Sequence, residues 1–128
     1  MNRRRLAAVS AVLLGAFAIL FAAGRAYRER QAVQDAREAL ETLGRMEQSY
    51  RRVRGEYADD VSALADMTDD WGAFMGALDA VLDLRAGFEI ALVPGGYRIT
   101  ARARDRRRTV VVHEGPPRKG IVEASKAR

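Results

Sequence analysis

Guanidinium groups crowd one short stretch near the C-terminal end: Arg98, Arg102, Arg104, Arg106, Arg107 and Arg108. If the chain is extended there, alternation places the first three on one solvent face of a strand. Such a patch suits anions, either the phosphates of DNA through counterion release or the acidic surface of a neighbouring protein. Tyr97 falls on the opposite face, so no aromatic residue interleaves with the arginines to stack on bases. Contact with another subunit, or a plain solvated surface, fits the pattern better than DNA.

Carboxylates gather elsewhere. Between Gly55 and Leu84 the charged residues are Glu56, Asp59, Asp60, Asp66, Asp69, Asp70, Asp79 and Asp83. With the arginine stretch they make an electrical asymmetry able to set head-to-tail packing between copies. Their spacing matches no calcium loop, and helix caps or solvated faces account for most of them.

Other chemistry is poorly supported. There is one histidine, His113, and no cysteine, which leaves a zinc site or a nucleophilic triad without its usual ligands or base. The serines lack the glycine-flanked elbow of a hydrolase, and adjacent surface carboxylates do not make an acid and base pair. The expectation is a protein with no enzyme activity, cofactor, metal or small-molecule substrate.

The elements that would position these residues follow from hydropathy and period. Leu6 to Gly24, "LAAVSAVLLGAFAILFAAG", carries no charge and runs about 19 residues, near the length of a membrane-crossing helix. Arg3, Arg4 and Arg5 precede it and favour a cytoplasmic N-terminus, although Arg25, Arg28 and Arg30 on the far side weaken that bias. A cleavable secretory signal is the competing reading, since small residues cluster at Ala22, Ala23, Gly24 and Ala26. The run exceeds the usual apolar core of a signal and passes into further helical pattern without a break, which favours an uncleaved signal anchor. Within it, Ala7, Ala11 and Gly15 fall four apart, a ridge of small residues that would admit a second membrane helix, although alanine-rich runs produce such spacing by chance.

Beyond Gly24, Val33, Ala36, Leu40, Leu43, Met46, Tyr50 and Val53 recur at helical spacing, with Glu38, Glu41, Arg45, Glu47 and Arg51 on other faces. This predicts an amphipathic helix over 25–54, continuous with the anchor and ended by Gly55 after three arginines. A connecting region over 55–87 contains a second helix, with Thr68, Asp69 and Asp70 as its cap and acidic first turn. Trp71, Phe74, Met75, Leu78, Val81 and Leu82 form its apolar face, and it closes near Gly87. From Phe88 the period becomes two. Phe88, Ile90 and Leu92 share a face, Pro94, Gly95 and Gly96 turn the chain, and Tyr97, Ile99, Ala101 and Ala103 alternate with polar residues. Thr109 to Val112 add another strand, giving an antiparallel meander over 88–114. Residues 1–5 read as a cytoplasmic basic tail and 115–128 as a disordered one.

The stretch "ALETLGRMEQSYRRVRGEYADDVSAL", Ala39 to Leu64, resembles the type IV pilins and type II secretion pseudopilins. It has their usual close of the long helix, an aromatic residue, a glycine, a tyrosine and a later leucine, here Tyr50, Gly55, Tyr57 and Leu64. "GGYRITARA", Gly95 to Ala103, is similar to their common sheet strand. The resemblance implies an α+β fold: an N-terminal transmembrane helix continuing into a long amphipathic helix packed on a three- to four-stranded antiparallel sheet. It also implies a single-pass protein of the bacterial inner membrane with a periplasmic ectodomain. Its partners would be other pilin-like subunits or the assembly proteins of a pilus or secretion system. The chain departs from the family at its start. Gly15, the one early glycine, lies inside the apolar run, the fifth residue after it is Leu20 where the family has glutamate, and about nine apolar residues would remain after a cut there, too few to span. An accessory subunit on a plain signal anchor is the reading that survives. A DNA-binding uptake accessory and a stand-alone periplasmic adaptor are its rivals.

Overall fold

The computed structural model describes residues 3–116, with side chains from Ala18 onward. A single helix, α1, runs Arg3–Arg54, 52 residues, or about 78 Å at the usual rise. Arg3, Arg4 and Arg5 belong to its backbone rather than to a separate tail. The chain is α+β: α1 is followed by the short helix α2 (Val61–Ala65), α3 (Trp71–Val81), and strands β1 (Glu89–Val93), β2 (Gly96–Arg102) and β3 (Val110–Gly115). The three strands form one antiparallel sheet in the order β1-β2-β3. Pro94 and Gly95 make the first hairpin turn, with Val93 opposite Gly96, and Gly95 adopts the positive φ of 77° that a turn of this kind asks of its second central residue.

The sheet lies across the second half of α1. Ala36, Leu40 and Leu43 on the helix meet Tyr97, Ile99, Ala101 and Val111 on the sheet, and Ala58, Leu64, Leu78 and Leu82 close the core from the side. Period two holds on β2, where Tyr97, Ile99 and Ala101 are buried and Arg98 and Arg102 exposed. The end of α3 is tied to the end of β2 by a bridge between Leu82 and Ala103 and by the Asp83 amide donating to the Arg102 carbonyl at 2.9 Å.

Several expectations need correcting. Helix α3 ends at Val81, not near Gly87. Its cap is Asp70, whose side chain accepts from the Ala73 amide, while the Thr68 hydroxyl donates back to the Ala65 carbonyl at 2.6 Å and so closes α2. Trp71, placed on the apolar face of this helix, is 51% exposed because it stands at the first position, beyond the reach of the core. Leu92 and Val53 are exposed as well: Leu92 lies one pair from the hairpin turn on edge strand β1, and Val53 lies in the last turn of α1, past the sheet. The third strand starts at Val110 and continues through Gly115, so Gly115 belongs to the sheet rather than the tail, whose residues 117–128 lie outside the described residues. Among the described residues no helix is long and apolar enough to cross a membrane. Of the expected span Leu6–Gly24, the side chains before Ala18 lie outside that description.

Candidate functional site

Two clusters mark the ends of the helix–sheet contact. At the distal end Gly44 allows the sheet to come close: a methyl group there would fall on the His113 imidazole and the Tyr97 hydroxyl. The Tyr97 hydroxyl uses that space to donate to the Gly44 carbonyl at 3.2 Å, with His113 Nε2 at 3.4 Å. Tyr57 packs edge-on against the Tyr97 ring, centroids 5.1 Å apart. Its hydroxyl accepts from Arg51 Nη1 at 2.9 Å, and the Arg51 guanidinium carbon sits 4.8 Å from its ring centroid. Gly55 ends α1 with φ of +83°, its amide bonded to the Arg51 carbonyl at 2.8 Å, the left-handed stop that glycine supplies without strain. Tyr50 is half-buried against the core and Leu64 fully buried. Gly55 thus ends α1, Tyr50 lies on the helix just before it, and Tyr57 and Leu64 pack against the core beyond it.

Glu47 sits in the same cluster and is the residue that sequence reasoning misplaced. It is fully buried, and neither carboxylate oxygen has a hydrogen-bond partner. Burial pushes its carboxyl up to about 7; the nearby Ala58 amide opposes the rise without making a bond of ordinary geometry, and the Asp59 charge adds to it. The signal was present in the spacing, since Glu47 follows Leu40 and Leu43 by seven and four residues and so falls on the inward stripe. Burial also raises the Tyr97 phenol above its usual range, a rise that the nearby Gln48 side chain opposes without making a bond of ordinary geometry and that Tyr57 and Glu47 reinforce.

The six arginines of the expected contact patch are all exposed but take different surroundings. Arg98 pairs with Glu114 across β2 and β3 at 2.7 Å. Arg104 is clamped on Asp79 of α3, donating to its carbonyl at 2.8 and 3.1 Å and to its carboxylate at 3.0 Å. Arg102 lays its side-chain stem against Gly87. Arg106, Arg107 and Arg108 stand in the β2–β3 turn, which Asp105 organises by accepting from the Thr109 amide at 2.7 Å and from the Thr109 hydroxyl. Burial pushes the Asp105 carboxyl up, but the two Thr109 bonds outweigh it and leave the group below its ordinary value. Arg108 closes the turn with φ of 51°.

The turn reaches back to the proximal part of α1, where the Arg106 amide donates to Glu29 Oε2 at 2.6 Å. Between turn and helix opens a cleft of about 1380 Å³ whose lining includes Arg25, Arg30, Arg37, Arg106 and Arg107. The expected acidic patch is also partly used within the chain. Asp79 holds Arg104, Asp60 and Asp70 cap α2 and α3, and Asp83 accepts from the Arg85 and Ala86 amides at 3.1 and 3.2 Å. The Arg85 amide, together with that of Ala86 and the charges of Arg104 and Arg108, holds the Asp83 carboxyl below its ordinary value against the opposing effect of burial. Among the described residues no group of three or more His, Asp or Glu residues could hold a metal ion. Ala7, Ala11 and Gly15 fall on the α1 backbone, and their side chains lie outside the described residues.

Comparison of the chain with protein-family models, with curated proteins and with solved structures gave no match in any of the three.

Proposed function

We propose that this chain is a non-enzymatic, pilin-like accessory subunit of a type IV pilus or type II secretion-like pseudopilus, held in the membrane by the apolar first part of α1. The observation that carries the reading is the arrangement at the distal end. One uninterrupted helix stops at Gly55, and Tyr57 and Leu64 bring the chain back beneath an antiparallel sheet laid across that helix. The anchor draws support from Ile19, Leu20 and Phe21, which are 72, 71 and 63% exposed. Apolar side chains exposed on several sides of a helix are costly in water and at home in lipid.

The anchored, N-in orientation places the sheet on the periplasmic side, where the Arg98 and Arg104 pairs brace the fold and the outer sheet face is open to a neighbouring subunit. Intact mass of the protein, measured separately in the membrane pellet and in sheared surface material, tests this. Full-length protein in membranes that co-purifies with other pilin-like subunits or assembly proteins is the expected result. Full-length protein with no such partner would leave a stand-alone adaptor. Salt-sensitive retention on DNA, lost when Arg106, Arg107 and Arg108 become alanine, would leave the DNA-uptake accessory.

A further inference from the structure

We infer that the cleft between the β2–β3 turn and the proximal part of α1 binds the headgroups of anionic phospholipids. The inference rests on the anchor reading for its geometry and on the arginines for its chemistry. Glu29, which receives the Arg106 amide at 2.6 Å, stands five residues beyond Gly24, where the apolar run ends, or about 7.5 Å along the helix. A headgroup layer is roughly 5–7 Å deep on each side of the hydrocarbon core. The arginine turn therefore meets α1 at the outer edge of the headgroup layer, with Arg25 and Arg30 nearest the lipid phosphates and Arg37, thirteen residues beyond Gly24, further out. Helix tilt only brings it closer.

Charge in the cleft is one-sided in what it offers. Its two lining carboxylates are already engaged, Asp105 by Thr109 and Glu29 by the Arg106 amide. Its five guanidinium groups, Arg25, Arg30, Arg37, Arg106 and Arg107, make no hydrogen bond or ion pair among the described residues, in contrast to Arg98 and Arg104 on the sheet. Guanidinium pairs with phosphate oxygens through two parallel bonds, and several lining one cleft from two elements suit a phosphate group. Tyr27, 64% exposed beside the cleft, is an aromatic with a polar tip of the kind found at the membrane–water boundary.

Full-length protein is tested in two arms. In the first, it is floated with phosphatidylcholine vesicles at alkaline pH. Retention supports the anchor whatever the cleft does. Loss there overturns the anchor alone, and flotation at neutral pH with phosphatidylglycerol vesicles then still supports headgroup binding. In the second, native mass spectrometry from neutral detergent compares bound phosphatidylglycerol with phosphatidylcholine. Wild type is expected to retain the anionic lipid about tenfold better. The Arg106→Glu/Arg107→Glu variant is expected to lose that preference while unfolding at the same temperature. Equal retention of the two lipids by wild type, or an unchanged preference in the variant, overturns the inference. So does displacement of phosphatidylglycerol by short duplex DNA at equal phosphate concentration, which would assign the arginines to a nucleic acid.

Discussion

The two ends of the helix–sheet contact are built on opposite principles. At the distal end Tyr97, Leu40, Leu43, Leu64 and Ile99 are almost completely buried, the backbones approach through Gly44, and even a carboxylate is packed away. At the proximal end the β2–β3 turn reaches α1 through a bond between the Arg106 amide and Glu29 beside an open, arginine-lined cleft. The first end stores the stability of the domain. The second holds little of it and is correspondingly free to bind, as surfaces carrying recognition usually are.

If that division is right, substitutions should fall off steeply in effect from the distal end to the proximal one. Leu40→Ala is expected to cost about 2–5 kcal/mol, because the side chain is removed from a close-packed site that cannot collapse onto the void. Thermal unfolding of the two proteins measures it, and a loss below about 1 kcal/mol would mean that the sheet does not seat on α1 as described.

Glu47 sharpens the comparison through pH. Its carboxyl is raised from 4.5 to about 7 in the folded chain, so the folded state binds the extra proton between those values and the unfolded state does not. Stability is therefore greatest below about pH 4.5 as far as this group is concerned, and falls as pH rises toward 7. The whole loss is on the order of 3 kcal/mol. Glu47→Gln should abolish this fall and unfold at a higher temperature than wild type at pH 8, with little difference at pH 4. Parallel pH profiles for the two proteins would show that the carboxylate finds a partner or water in solution.

Gly55→Ala tests how the distal end begins. Nothing lies within 4 Å of the position that a methyl group would take, so the cost comes only from the positive φ, about 1 kcal/mol. A shift in unfolding temperature of that order is expected; a larger one would point to movement of Tyr57 away from Tyr97.

Much of this contrast was legible in the sequence where one physical rule dominated. Period two placed Tyr97, Ile99 and Ala101 inward and Arg98 and Arg102 outward, and glycine after a basic turn marked the end of α1, because side-chain direction and backbone freedom are local properties. Glu47 escaped because residue type was weighed over position: a glutamate reads as surface, although its spacing from Leu40 and Leu43 put it on the core stripe. Trp71 failed the other way, its size suggesting a core that α3 does not reach at its first position. The arginines from 98 to 108 read as one patch because their separation into a Glu114 pair, an Asp79 clamp and a turn against α1 depends on contacts between residues 16 to 77 positions apart.

The smallest effect is the most discriminating. Arg106→Ala/Arg107→Ala should change stability by less than about 0.5 kcal/mol, since both side chains are exposed and neither guanidinium has a partner among the described residues. The bond to Glu29 comes from the Arg106 backbone amide and survives the substitution. Removing two positive charges from the cleft should nevertheless weaken its hold on anions, and more so at low salt than at high. Unfolding temperature and anion binding are thus expected to separate in this one variant, whereas Leu40→Ala moves the unfolding temperature first. A marked loss of stability in the double alanine variant would mean that the turn helps to hold the sheet on α1, and the two ends would then differ in chemistry but not in purpose.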